Sequence, residues 1–161
     1  SVNDAFYLIG GIFFLGTSFS LFSLLRSTGL TYVIYLLLIS MITDTYAYIT
    51  GMLIGRHKLL PDVSPKKTWE GSIGGTVMGT IVGVTYYMTV IDPFVSPVGI
   101  ILTTVFSSIV GQFGDLVFSS IKRYFGKKDF SNIMPGHGGI LDRLDSVIFI
   151  VLGFMFFMNI L

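Results

Sequence analysis

A chain of 161 residues with 52% hydrophobic and only 12% charged side chains has a mean hydropathy of +0.81. That excludes an ordinary soluble domain, which carries about twice this charged fraction. The net charge of +1 supplies no global field for nucleic acid, and the lack of cysteine excludes disulfides, thiolate metal sites and cysteine nucleophiles.

Several apolar runs reach the ~20 residues that a helix needs to cross the hydrocarbon core. The expectation is an all-α integral membrane protein, a single transmembrane domain over residues 1–161 with about five transmembrane helices. The first run, residues 5–25, has no basic segment before it and is read as a span rather than a cleavable signal. Arg26-Ser27-Thr28-Gly29 then forms a turn. The second span, residues 30–54, holds Asp44 deep within it, a costly place for a carboxylate. Helical spacing sets Ser40, Asp44, Ala47, Tyr48 and Gly51 along one side, with Thr43 adjacent. Asp44 is either satisfied by a neighbouring helix or lines a polar cavity.

The polar connection that follows, residues 55–68, carries Arg56, His57, Lys58, Lys66 and Lys67. Ser64-Pro65 suits a helix start, with Ser64 as N-cap and Pro65 in the first helical position. Lys66 and Lys67 then fall in a first turn that attracts an anion, or they touch anionic lipid head groups. Trp69 suits an interface anchor, and Glu70 is within reach of either lysine. In the third span, residues 71–91, glycines at 71, 75, 79 and 83 make a ridge for close helix packing.

The fourth span, residues 98–121, carries Ser108, Gln112, Asp115, Ser119 and Lys122 at alternating spacings of four and three. Such a polar stripe avoids lipid and lines a cavity or a polar interface. Asp115 and Ser119, one turn apart, are placed to approach a cation together. Next come Arg123, Lys127, Lys128 and the turn Pro135-Gly136-His137-Gly138-Gly139, whose basic groups and glycine backbone suit a polyphosphate. The last helix is expected to begin near Ile140, with Asp142 and Asp145 sharing a face and Arg143 pointing elsewhere. Of the ten Lys and Arg, four lie between spans two and three and five after span four, with Arg26 the remainder. The positive-inside rule puts both loops, and the polar cavity beneath them, on the cytoplasmic side.

Ser119-x-Ile121-Lys122-Arg123, Lys128-Asp129-x-Ser131 and Pro135-x-His137-Gly138-Gly139-Ile140-x-Asp142-Arg143-Leu144-Asp145 together resemble the signature of the phosphatidate cytidylyltransferases, the CDP-diacylglycerol synthases. Asp44-Thr45-x-Ala47-Tyr48, the segment from Ser64-Pro65-Lys66-Lys67 to Gly71, and Gly114-Asp115 are similar to the same family. Met134, Tyr46 and Thr50 depart from its usual pattern, and members are usually longer, with additional N-terminal helices.

The resemblance implies transfer of the cytidylyl group of CTP to phosphatidate, giving CDP-diacylglycerol and pyrophosphate. It implies Mg²⁺ on Asp115 and Asp142, with Asp44 and Asp145 as second choices and room for a second cation. Ser64, Lys66, Lys67, Ser119, Lys122, Arg123, Lys128, Arg143, His137, Gly138 and Gly139 are implied to bind phosphates and substrate. For His137 a phosphate-binding or turn-fixing role is favoured over proton transfer. A homodimer in a lipid membrane, such as a bacterial inner membrane, and no nucleic-acid partner are further implications. A CDP-archaeol synthase or a CTP-dependent lipid kinase is the near alternative. An ion or proton transporter using Asp44 and Asp115 is the alternative from another class.

Overall fold

The computed structural model describes residues 2–127, 129–130 and 141–158. The elements in chain order are α1 (Val2–Thr28), α2 (Leu30–Ile54), β1 (Lys58–Leu60), β2 (Ser64–Thr68), α3 (Trp69–Tyr86), α4 (Pro97–Tyr124) and α5 (Leu141–Met158). Among the described residues, four stretches, Asp4–Thr28, Leu30–Ile54, Trp69–Ile91 and Pro97–Tyr124, are long and apolar enough to cross a membrane. The apolar part of α5, Leu144–Met158, is shorter. The architecture is the expected all-α membrane fold with one small hairpin added.

Two rows of residues at a four-residue spacing hold α2 and α3 together. Ile39, Thr43, Ala47 and Gly51 on α2 face the buried Gly71, Gly75, Gly79 and Gly83 on α3. A Cβ at Gly71 would lie 2.5 Å from the Ala47 carbonyl oxygen, and one at Gly75 2.5 Å from the Thr43 carbonyl oxygen. Backbone meets backbone here, a contact open only to residues without a side chain. The glycine ridge therefore serves packing within the chain. On the other flank, Gly111 and Gly114 of α4 receive Ile150 and Phe149 of α5, each within 2.7 Å of where a Cβ would sit. Tyr35, Leu36, Ile39, Ile150, Val151 and Phe154 are fully buried at the centre.

The start of α3 corrects one expectation. Ser64–Thr68 is not a helical turn but a strand, paired antiparallel with β1 in the register Lys58 to Thr68 and Leu60 to Ser64. A turn with Pro61 and Asp62 at its centre, closed by Val63 N–H donating to the Leu60 carbonyl at 3.2 Å, reverses the chain. The N-cap is Thr68 rather than Ser64: its Oγ1 accepts from Gly71 N–H at 3.1 Å. Thr68 is buried against Gly51, Gly55 and Gly71, so the helix begins where its cap fits the α2 glycines. Lys66 and Lys67 consequently project from a strand, not from a helix N-terminus.

Gly75→Ala is expected to destabilise the fold by about 1–3 kcal/mol through overpacking against α2. Gly10→Ala, where nothing lies within 4 Å of the added methyl, is expected to be neutral. Thermal denaturation of the two variants in detergent checks the contrast.

Candidate active site

The polar residues on the inner stripe of α4 meet α2, then α3, then the hairpin and α5, in sequence from the bundle interior outward. Thr104 Oγ1 hydrogen-bonds the Tyr35 hydroxyl at 2.7 Å, and Ser108 Oγ bonds Thr43 Oγ1 at 2.8 Å. One turn on, Gln112 Nε2 donates to Thr76 Oγ1 at 2.9 Å and to the Ser72 carbonyl at 3.3 Å. Asp115 then pairs with Lys67 of β2 and accepts from Ser119 Oγ at 3.3 Å. Lys122 reaches Asp142 on the first turn of α5, Nζ to Oδ1 at 2.9 Å. The stripe avoids lipid by meeting a polar partner at every turn, as apolar surroundings demand.

Between these contacts lies a cleft of about 370 Å³. Seven of the residues expected at the site line it: Asp44, Ser64, Lys66, Lys67, Asp115, Asp142 and Asp145. Asp44 is exposed along its wall, and among the described residues it has no ion-pair partner. Asp145 is buried, accepts from Ser146 N–H at 2.7 Å, and lies close enough to Asp115 for each carboxylate to feel the other's charge. Lys122 stays beside the cleft, with Nζ 5.3 Å from the centre of the Phe130 ring. Phe130 N–H in turn donates to Asp142 Oδ2 at 3.0 Å, which fixes the carboxylate from a second side.

Other expected residues stand apart. Arg123 turns away and donates from Nε to the Val63 carbonyl at 3.4 Å, bracing the hairpin. Glu70 pairs with neither lysine. It binds His57 Nδ1 at 2.6 Å and accepts from the Arg56 and His57 N–H groups at 3.2 and 3.3 Å. The reason is that the hairpin turns Lys66 and Lys67 toward the cleft while Glu70, past the cap, faces the chain leaving α2. Lys128, His137, Gly138 and Gly139 lie outside the described residues, as does the side chain of Arg143. Leu59 and Ser72 also line the cleft. Sequence gave no signal for Leu59, whereas Ser72 is the polar neighbour of the first ridge glycine.

The donor set suits a hard divalent cation, since four carboxylates surround one cleft. Among the described residues, however, no group of three or more His, Asp or Glu is close enough to hold a metal. Asp115 and Asp142 each hold a lysine instead, so a cation at either one competes with an ammonium group.

The chain matches the model of the Cytidylyltransferase family over residues 2–161. A phosphatidate cytidylyltransferase of Staphylococcus haemolyticus is 45% identical over 151 residues, which are 94% of this chain and 58% of that protein. Its namesake in Staphylococcus epidermidis is 44% identical over 151 residues, again 94% of this chain and 58% of the relative. That of Staphylococcus aureus (strain COL) is 45% identical over 152 residues, with the same coverage of 94% and 58%. The chain thus spans 58% of the length of these relatives.

Lys122 and Asp142 are 11% and 7% exposed, against 28% and 25% for Lys67 and Asp115. Breaking a buried ion pair by removing one partner costs more than breaking a half-exposed one. Lys122→Met is therefore expected to lower stability more than Lys67→Met, and adding Asp142→Asn to recover part of the loss. Chemical denaturation in detergent measures both effects.

Proposed function

This chain belongs to the cytidylyltransferase family, and we propose that it transfers the cytidylyl group of CTP to phosphatidate, releasing pyrophosphate and forming CDP-diacylglycerol. The observation that carries the proposal is the cleft in which four carboxylates and two hairpin lysines converge at one end of a membrane-length bundle. A soluble nucleotide and a lipid head group meet naturally in such a place. The name carried by the staphylococcal relatives supports the diacyl lipid over an archaeol lipid, and transfer of a nucleotidyl group over transfer of a phosphoryl group.

In this reaction a phosphate oxygen of phosphatidate attacks the α-phosphorus of CTP. The bond from that phosphorus to the oxygen bridging to the β-phosphorus breaks, and its electron pair leaves with pyrophosphate. The nucleophile is already an anion at neutral pH, so the protein has no need of a strong base. Its task is to hold two anions together and to stabilise the charge that develops. Among the described residues, Lys66 and Lys67 on β2 line the cleft and Lys122 on α4 stands beside it for this work. Lys128, Arg143, His137, Gly138 and Gly139 are assigned phosphate contacts, with Ser64 and Ser119 as hydrogen-bonding partners. Asp115 and Asp142 would hold Mg²⁺, with Asp44 and Asp145 beside them and room for a second cation. When bound, the metal supplies charge neutralisation on the triphosphate. We further assign the cleft to the cytoplasmic side of the membrane and the working form to a homodimer.

Purified protein in lipid, given CTP, phosphatidate and Mg²⁺, is expected to make CDP-diacylglycerol and pyrophosphate, and chelation of the metal to stop it. Asp115→Ala and Asp142→Ala are each expected to lower turnover by at least about a hundredfold. Release of CDP in place of pyrophosphate would identify a lipid kinase. Full activity in either variant would overturn the metal assignment.

A further inference from the structure

Gln112 lines the cleft one helical turn further into the bundle than Asp115, and it is only 9% exposed. Its orientation is fixed by chemistry. The Ser72 carbonyl 3.3 Å from Nε2 can only accept, so the amide nitrogen must face α3. Thr76 Oγ1 spends its own proton on the same Ser72 carbonyl, at 2.9 Å, and therefore presents a lone pair to Nε2. Turning the amide over would set Oε1 against the Ser72 carbonyl, and could be accommodated at Thr76 only by taking its proton from that carbonyl. Among the described residues no hydrogen bond reaches Oε1, which leaves an acceptor of fixed polarity, without a proton of its own, in the wall of the cleft.

Such an acceptor selects what lies against it. Phosphate oxygens at neutral pH are mostly ionised, act as acceptors and are drawn instead to Lys66, Lys67 and Lys122. The groups of a cytidine nucleotide that donate are the exocyclic amine of the base and the ribose hydroxyls. A uracil presents a carbonyl oxygen where cytosine presents the amine, so two acceptors would face each other. We propose that Gln112 Oε1 receives the exocyclic amine of cytosine and makes the site prefer CTP over UTP, with Ser72 and Thr76 as the residues that hold it in that orientation. This rests on the cytidylyl-transfer function proposed above.

The test compares CTP, UTP and 2′-deoxy-CTP as substrates for the membrane-embedded protein and for Gln112→Met. The variant is expected to lose about tenfold or more of its preference for CTP over UTP, chiefly through KM for CTP. Its ratio of CTP to 2′-deoxy-CTP is expected to stay unchanged. Thr76→Val, which removes one of the two oxygens orienting the amide, is expected to weaken the same preference to a smaller degree. It provides the comparison if Gln112→Met does not fold, as judged by its melting temperature. A CTP preference that survives in the folded variants overturns the assignment, and so does a change confined to the ribose comparison. Failure of the wild-type protein to turn over CTP would instead overturn the function on which the assignment rests.

Discussion

The contact between the backbones of α2 and α3 is the constraint from which the rest of the site follows. With four glycines of α3 set against Ile39, Thr43, Ala47 and Gly51, the two helices have little freedom to shift along each other. Thr68, wedged among Gly51, Gly55 and Gly71, then fixes the point where α3 begins. The hairpin that precedes Thr68 has nowhere to go but over the end of the bundle. That is how Lys67 comes to rest on Asp115, 48 residues further along the chain. A two-stranded ribbon of this size is marginal by itself. Here it is tied down at Trp69 N–H, which donates to the His57 carbonyl at 3.0 Å, and by the Glu70 and Arg123 contacts.

The charges obey the economy of an apolar medium. A bare carboxylate among lipid-facing helices is costly, and each of the two pairs, Lys67 with Asp115 and Lys122 with Asp142, joins residues from different elements. The pairs thus staple β2 to α4 and α4 to α5 around the cleft. The neutral partners of the stripe extend the same logic inward, where Thr43 meets Ser108 and Tyr35 meets Thr104 within fully packed surroundings.

Much of this was legible from the residues in order. The second span begins and ends where its apolar run does, at Leu30 and Ile54, because nothing else competes for those residues. The α4 stripe announced a polar interior, since its spacing is local to one helix. The glycine ridge announced close packing for the same reason. What sequence obscured were choices settled at long range. Ser64-Pro65 has good local chemistry for a helix start, but the fit of Thr68 against the α2 glycines and the pairing with β1 outweigh it. Glu70 sits near Lys66 and Lys67 in sequence, yet strand and helix send them in different directions. The partners of Asp115 and Asp142 could not be chosen among ten basic residues by spacing alone.

The ion pair between Lys67 and Asp115 has a consequence for how ligands of opposite charge cooperate. While the cleft holds neither, the lysine serves as the counter-ion of the aspartate. An anion that engages Lys67 weakens its hold on Asp115, and a cation that takes Asp115 releases Lys67. Thermodynamic reciprocity makes these one coupling free energy seen from two sides. On the proposed function, the apparent affinity for a polyphosphate would then rise with the concentration of divalent cation, and the affinity for the cation would rise by the same factor with the polyphosphate. With that function, the Lys67–Asp115 pair would compensate these two charges at rest and favour loading the two ligands as a set.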